Sequence, residues 1–387
     1  MEEKFKKLFE PGMIGTLEIP NRIVMAPMGT AFTGLDGRLG KRHINYYAER
    51  AKGGVGLIIT TVVKVERSID PIDRSSFSIP ILDDNRLIPD FGELADRIHE
   101  HGSKVAVQLS IGFGRNADNI SSERPPVSAS AVPSFHDPKV LAEKTLEEGK
   151  ADFIAMGRQL LADPEWPKKV REGRTEDIRR CIACNEGCIG RLFAIKPISC
   201  TLNPEVGREA EYRITPALKR KKILVVGGGP AGMEVARVAG IRGHDVTLCE
   251  KTDKLGGLLI PAAMPEFKKD LNYIIEYYSA QLRKLNVKVE LDKEVTPEIV
   301  DEMKPDVVIV ATGSAPFIPK IPGINKPIVV GAIDVLLGKA GVKENVIIAG
   351  GGLVGCETAL FLAERDKEVT IVEMLPEIAP DVNSVSR

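Results

Sequence analysis

Short apolar runs recur along the first third of the chain, each separated from the next by a longer stretch whose apolar positions fall at helical spacing. Residues 23–27, 55–63 and 105–109 read as buried strands, and residues 153–156 as a fourth. Between them, Lys41–Lys52 and residues 87–101 carry the three-and-four spacing of helices, and Gly102 is placed to close the second in a left-handed turn. Residues 138–149 form a further amphipathic stretch ahead of the fourth strand. Strand and helix alternating in this way predict parallel β/α units. One stretch breaks the pattern: residues 110–138 hold no strand-like run and are rich in Ser, Pro and Asn. A structureless span of that length is unusual inside a compact domain.

After a cysteine-rich loop at residues 181–200 and a polar, basic linker at 201–222, a new pattern starts. Lys222–Val226 predicts a strand, residues 227–232 a glycine turn, residues 233–242 a helix and residues 245–250 a second strand. The same order recurs downstream, with the strand at Asn345–Ala349, the turn at 350–355, the helix at 356–364 and the closing strand at 368–373. This internal repeat marks two copies of one supersecondary unit.

Composition narrows the class. A chain of 387 residues exceeds one ordinary core and predicts two or three domains. Apolar residues make up 43% and the charges nearly cancel, 53 basic against 54 acidic, so a disordered chain is excluded. Aromatics are 5% and the basic residues are scattered, which gives no footprint for nucleic acid. No stretch reaches the roughly 20 apolar residues of a membrane helix, and residues 1–10 lack the apolar centre of a secretory signal. The expected compartment is the cytoplasm. Four of the six cysteines fall within residues 181–200, which in a reducing compartment points to metal binding more than to disulfides.

Residues 222–232 read KILVVGGGPAG, with Gly227, Gly229 and Gly232 at the spacing of a dinucleotide-binding turn. The first glycine permits the turn, the second lets a pyrophosphate approach the backbone, and the third lets helix and strand pack closely. Pro230 and Ala231 lie between the last two, and the helix tip that follows offers free N–H groups to phosphate. Glu250 ends the next strand, where a carboxylate accepts hydrogen bonds from a ribose diol; Gly257, just beyond, is counted with the same site. The second copy supplies Gly350, Gly352, Gly355 and Glu373. A carboxylate at that last position repels a 2′-phosphate, so NADH is expected over NADPH.

Cys181, Cys184, Cys188 and Cys200 supply four thiolates, usable by an iron–sulfur cluster or by a structural zinc. Zinc sites usually set two close cysteines against a distant second pair. Here three are bunched and one is remote, a spacing that favours a 4Fe–4S cluster. Cys249 and Cys356 fall beside the glycine turns and read as small core residues.

With these motifs in place, the chain resembles the NADH:flavin oxidoreductases that include 2,4-dienoyl-CoA reductase, enoate reductases and trimethylamine dehydrogenase. In that family an Old Yellow Enzyme-like (β/α)8 TIM barrel holds FMN, a cysteine loop holds a 4Fe–4S cluster, and Rossmann-like modules hold FAD and NAD(P)H. The turn Ala311-Thr312-Gly313 is similar to one found in flavoprotein disulfide reductases, which implies FAD at the first glycine loop and NAD at the second. The segment NRIVMAPMG resembles the first barrel strand and implies that Ala26, Pro27, Met28 and Gly29 line FMN, with Val62 at the next strand end. Gln108 resembles the glutamine on the flavin pyrimidine, and Gly157 and Arg158, in MGRQLLADP, resemble the phosphate site.

The resemblance has a gap. A full barrel needs eight strands over about 250 residues, and only four are legible in the first 160. The expected fold is therefore α/β: a partial barrel over residues 1–180, a cluster loop and linker over 181–221, an FAD module over 222–340 and the start of an NAD(P) module over 341–387. The segment that carries the proton donor in relatives is absent, so no catalytic acid is named. The exposed edges of half a barrel favour self-association. The implied activity passes electrons from NADH through FAD, the cluster and FMN to an activated alkene. The alternatives are an amine dehydrogenase of the trimethylamine dehydrogenase type and a noncatalytic cofactor-binding or electron-transfer remnant.

Overall fold

The computed structural model describes residues 5–34, 36–65, 79–110, 138–380 and 382, with backbone alone at 110 and 138–141. The chain divides into two compact units, Met1–Arg213 and Ile214–Arg387.

The first unit opens with α1 (Lys6–Phe9) and an antiparallel hairpin of β1 (Gly12–Ile14) and β2 (Leu17–Ile19). Alternating strands and helices follow: β3 (Ile23–Met25), α2 (Lys41–Lys52), β4 (Leu57–Lys64), α3 (Ile88–His99), β5 (Lys104–Ser110), α4 (Pro138–Glu147) and β6 (Ile154–Met156). All four strands after the hairpin are parallel, in the order β5-β4-β3-β6. The strand latest in sequence therefore lies beside β3, and Val24 faces Leu57 on one side and Ala155 on the other. Every residue of β3 is buried, as expected for a strand covered on both faces. Helix α2 buries Ile44, Tyr46, Tyr47 and Ala51 in the core shared with Ile23, Met25, Ile58 and Trp166. Gly102 takes φ +79° after α3, as its place in the sequence predicts. The polar stretch that interrupts the pattern, residues 111–137, lies outside the described residues.

Three short helices complete this unit: α5 (Arg158–Ala162), α6 (Trp166–Arg171) and α7 (Ile189–Phe193). The first part of the segment expected to be a linker packs onto this unit, while residues 210–213 are exposed. Val206 and Asn203 are buried, and Glu209 forms an ion pair of 2.6 Å with the fully buried Arg50 of α2.

In the second unit β7 (Lys222–Val226), α8 (Pro230–Ile241), β8 (Asp245–Cys249), α9 (Leu259–Ala262), α10 (Asn272–Lys284), β9 (Lys288–Glu290), α11 (Pro297–Met303) and β10 (Val307–Val310) build a four-stranded parallel sheet in the order β10-β7-β8-β9. A separate parallel pair follows α12 (Ala332–Leu336): β11 (Asn345–Ala349) and β12 (Glu368–Val372), joined by α13 (Leu353–Ala363). One face of that pair packs Val346, Ile348 and Val369 against Leu336, Phe361 and Leu362. Both repeat helices begin three residues earlier than the sequence predicts, because Pro230 and Leu353 already have helical backbone. Proline suits the first helical position, where its missing N–H is not needed. Among the described residues no helix is long and apolar enough to cross a membrane.

Candidate functional site

Parallel strands present their C-terminal ends on one side of a sheet, which is where ligands bind in such folds. In the first unit that side gathers the residues singled out by sequence. Ala26 follows β3, and its N–H donates to Met156 O of β6 at 3.0 Å, which aligns the two strand ends. Gly157 leaves β6 against Met28: a Cβ on it would lie 3.3 Å from the Met28 sulfur. Pro27 and Arg158 are exposed, while Ala26, Met28 and Gly29 are half-buried. Val62 pairs with Gln108 across β4 and β5, beyond a register shift at Thr60 and Thr61, and the Gln108 N–H donates to Thr60 Oγ1 at 3.3 Å. The Gln108 residue is exposed at this edge.

The cysteine loop folds onto the same strand ends. A Cβ on Gly29 would meet Leu192 Cδ2 of α7 at 2.9 Å, so this glycine admits the loop's side chain. The Ile198 N–H donates to Thr30 O at 3.0 Å, and Arg158 donates to Asn185 Oδ1 at 2.5 Å. Within the loop the Ser199 N–H donates to Gly187 O at 2.6 Å, which carries Cys200 back beside Cys188. Cys184 Sγ lies 3.4 Å from Thr201 Oγ1, and the Cys181 N–H is held by Gln159 Oε1 at 3.0 Å. Ala183 and Asn185 adopt left-handed backbone, φ +53° and +60°, which lets the loop wind tightly between its cysteines.

All four thiols are free and half-buried. Burial pushes the Cys181 and Cys200 thiols up; Cys181 also feels Cys200 and Cys188, and Cys200 feels Cys184, so the four share one electrostatic neighbourhood. Among the described residues no three His, Cys, Asp or Glu side chains close together as a site for a metal ion.

The two glycine loops of the second unit are geometric copies. Gly227 and Gly350 have φ +108° and +110°, open only to glycine. A Cβ on Gly232 would strike Gly227 O at 1.9 Å, and one on Gly355 would strike Gly350 O at the same distance. At Gly229 and Gly352 an added Cβ meets nothing within 4 Å, and neither residue caps its helix by a side chain. Each loop thus leaves open space at the uncapped tip of a long helix, a cradle suited to a pyrophosphate. Gly257, at φ +52°, closes on the first loop, where its Cβ would sit 3.1 Å from Gly229 Cα. The loops differ in their surroundings: Ala311 roofs Gly227, its oxygen 2.4 Å from a Cβ built there, whereas nothing lies within 4 Å of one on Gly350.

Each loop is also braced by its own carboxylate. Glu250 accepts from the Gly228 N–H at 2.7 Å and from Thr252 N–H and Oγ1, both at 2.9 Å. Burial works to raise its pKa, and these hydrogen bonds outweigh it and hold the carboxyl below the usual range. Glu373 repeats the arrangement with Gly351 at 2.6 Å, and the N–H groups of Leu375 and Gly351 hold its pKa down. Sequence reasoning placed both acids at a ribose. The structure adds that each grips its own glycine turn. Sequence reasoning gave no role to Gln159, although it lies within MGRQLLADP, or to Asn185, Leu192 and Thr201, because their partners come from other parts of the sequence.

Residues 7–135 and 128–177 match the model of the NADH:flavin oxidoreductase / NADH oxidase family, and residues 221–386 match that of the pyridine nucleotide-disulphide oxidoreductases. The chain is 31% identical to cinnamate reductase of Clostridium sporogenes, over 98% of this chain and 84% of that protein. It is 32% identical to an NADH oxidase of Thermoanaerobacter brockii, over 99% and 85%. Among solved structures, a complex of 2-naphthoyl-CoA reductase with 2-naphthoyl-CoA superposes with TM-score 0.90 at 25% identity, covering 98% of this chain and 85% of that one.

Proposed function

The chain belongs to the NADH:flavin oxidoreductase / NADH oxidase family, and from that premise we propose that it is an NADH-dependent flavin oxidoreductase reducing activated C=C bonds of enoate or enoyl type. When bound, the flavins and the cluster supply the hydride and single-electron chemistry that takes electrons from NADH through FAD, a 4Fe–4S cluster and FMN to the alkene. The observation that carries this reading is the fold of the cysteine loop onto the ends of β3 and β6, through Gly29, Thr30 and Arg158. That contact sets a thiolate quartet beside the proposed flavin site.

In this assignment Ala26, Pro27, Met28, Gly29, Val62 and Gln108 line the FMN ring and Gly157 and Arg158 take its phosphate. Cys181, Cys184, Cys188 and Cys200 hold the cluster. A tetrahedral zinc would draw thiolates to roughly 3.8 Å of one another. The sequence spacing, three bunched cysteines with Cys200 remote, is what favours a cluster over such a zinc site. Gly227, Gly229, Gly232 and Gly257 cradle FAD, and Gly350, Gly352 and Gly355 cradle NADH. Glu250 and Glu373 keep those turns in shape while offering their remaining lone pairs to a ribose. The proposed compartment is the cytoplasm, where reduced cysteines stay available to a cluster.

The four parallel strands of the first unit are read as part of an Old Yellow Enzyme-like barrel. The alignment with cinnamate reductase runs over 562 positions against a chain of 387 residues, which leaves a long stretch of that relative without a counterpart here. The domain limits proposed are 1–180 for the partial barrel, 181–221 for the cluster loop and linker, 222–340 for the FAD module and 341–387 for the NAD(P) module. Anaerobic assay of the purified protein tests the activity: NADH oxidation should accelerate when cinnamate or an enoyl-CoA is added. Protein that holds FMN, FAD and iron yet shows no alkene-dependent rate would refute it.

A further inference from the structure

We propose that Gln159 is a positioning residue that couples flavin binding at the end of β6 to the seating of the cysteine loop, so that each cofactor strengthens the hold on the other. The inference rests on the functional reading above and goes beyond it, since that reading requires only that both sites exist.

Gln159 directly follows Arg158, the residue assigned to the FMN phosphate, and lies in the first turn of α5. Its side-chain amide reaches into the cysteine loop and makes two bonds of opposite sense there. Oε1 accepts from the Cys181 N–H at 3.0 Å, and Nε2 donates to Arg179 O at 2.9 Å. The other edge of the same segment is fixed by the buried Asp163, whose Oδ2 accepts from the Arg179 N–H at 2.9 Å and from Lys169 Nζ at 2.8 Å. Arg158 itself reaches Asn185, between Cys184 and Cys188. Two adjacent side chains on a five-residue helix thus hold the loop at its first cysteine and at its centre.

An amide suits position 159 because the loop offers it one donor and one acceptor; a carboxylate can meet the N–H but not the carbonyl, and an alkyl group neither. A phosphate that fixes Gly157 and Arg158 also fixes the base of this clamp. The loop then spends less ordering on receiving a cluster, and by reciprocity a seated cluster tightens FMN by the same factor.

The test is an anaerobic FMN titration of flavin-stripped protein, with the iron centre intact and after removal by chelator. The wild-type protein should bind FMN about tenfold more weakly once the centre is gone. In Gln159→Leu both groups should still bind, but that ratio should fall to near one. Gln159→Glu, which keeps the acceptor for Cys181, should give an intermediate ratio and serves if the leucine variant does not fold. An FMN affinity indifferent to the iron centre in the wild-type protein, or an undiminished ratio in either variant, would overturn the coupling. Wild-type protein that takes up no FMN or no iron would overturn the underlying functional reading as well, so the two failures are distinct.

Discussion

Arg50 and His43 show what single residues contribute beneath the proposed flavin site. The Arg50 guanidinium is fully buried, donating to Tyr46 O and Glu209 Oε1 at 2.6 Å and to Leu160 O at 3.2 Å, and lying 3.8 Å over the Tyr46 ring. A buried charge left without its partner is expensive, so Arg50→Met, which strands Glu209, should destabilise the first unit by about 3–5 kcal/mol in urea unfolding. His43 is also fully buried, with Nε2 2.9 Å from Thr30 Oγ1. Burial, helped by the charge on Arg42, lowers its pKa from 6.5 to about 4.

The sign of the resulting pH dependence is fixed. Between those two values the unfolded chain binds a proton that the folded one refuses, so stability falls as pH drops from 6.5 toward 4, by up to about 3 kcal/mol. Carboxylates held down in the fold, such as Glu250 with its ordinary value of 4.5, lose their contribution only below that value. His43 therefore contributes to the limb from pH 6.5 to 4.5, and His43→Gln should flatten it in pH-resolved denaturation. None of this was legible beforehand, because a histidine or an arginine on an amphipathic helix shows its depth only once its neighbours are known.

Among the elements, legibility followed the kind of signal. Short continuous apolar runs gave β7, β10 and β11 to the residue, although only β7 is buried and β10 and β11 alternate between exposed and half-buried positions. The hairpin of β1 and β2 escaped because three-residue strands carry too few positions for a period. Helix α10 escaped although its signal was present in Ile274, Tyr277, Tyr278 and Leu282, buried along one face. The glycine loops were legible in chemistry and in spacing; their bracing by Glu250 and Glu373 was not, because a strand-end acid looks the same whether it faces a ribose or its own turn. The loops make separable predictions. Gly232→Ala forces a Cβ against Gly227 O and should abolish FAD retention while leaving iron and FMN in place, as read by flavin chromatography and iron assay. Gly355→Ala should keep FAD but slow its reduction by NADH at least tenfold in stopped-flow measurements.

For the whole molecule, the two units carry separate hydrophobic cores: one around Trp166, Tyr46 and Ile58, the others on the parallel sheets after Ile214. Units with their own cores unfold as separate cooperative blocks, so calorimetry of the intact chain should resolve more than one transition. Arg50→Met should lower only the one belonging to Met1–Arg213. The division of the chain into a cysteine-bearing β/α half and a repeated glycine-loop half was readable from the order of motifs. That the cysteine loop lies on the strand ends of the first half was not, since it depends on Leu192, Ile198 and Asn185 finding Gly29, Thr30 and Arg158. The proposed function requires that those thiolates enclose an iron–sulfur centre beside one flavin while a glycine cradle holds another. Anaerobic purification followed by joint assay of iron, sulfide, zinc, FMN and FAD measures this directly. The expected result is about four iron and four sulfide per chain with both flavins present; zinc in place of iron, or a single flavin, would contradict it.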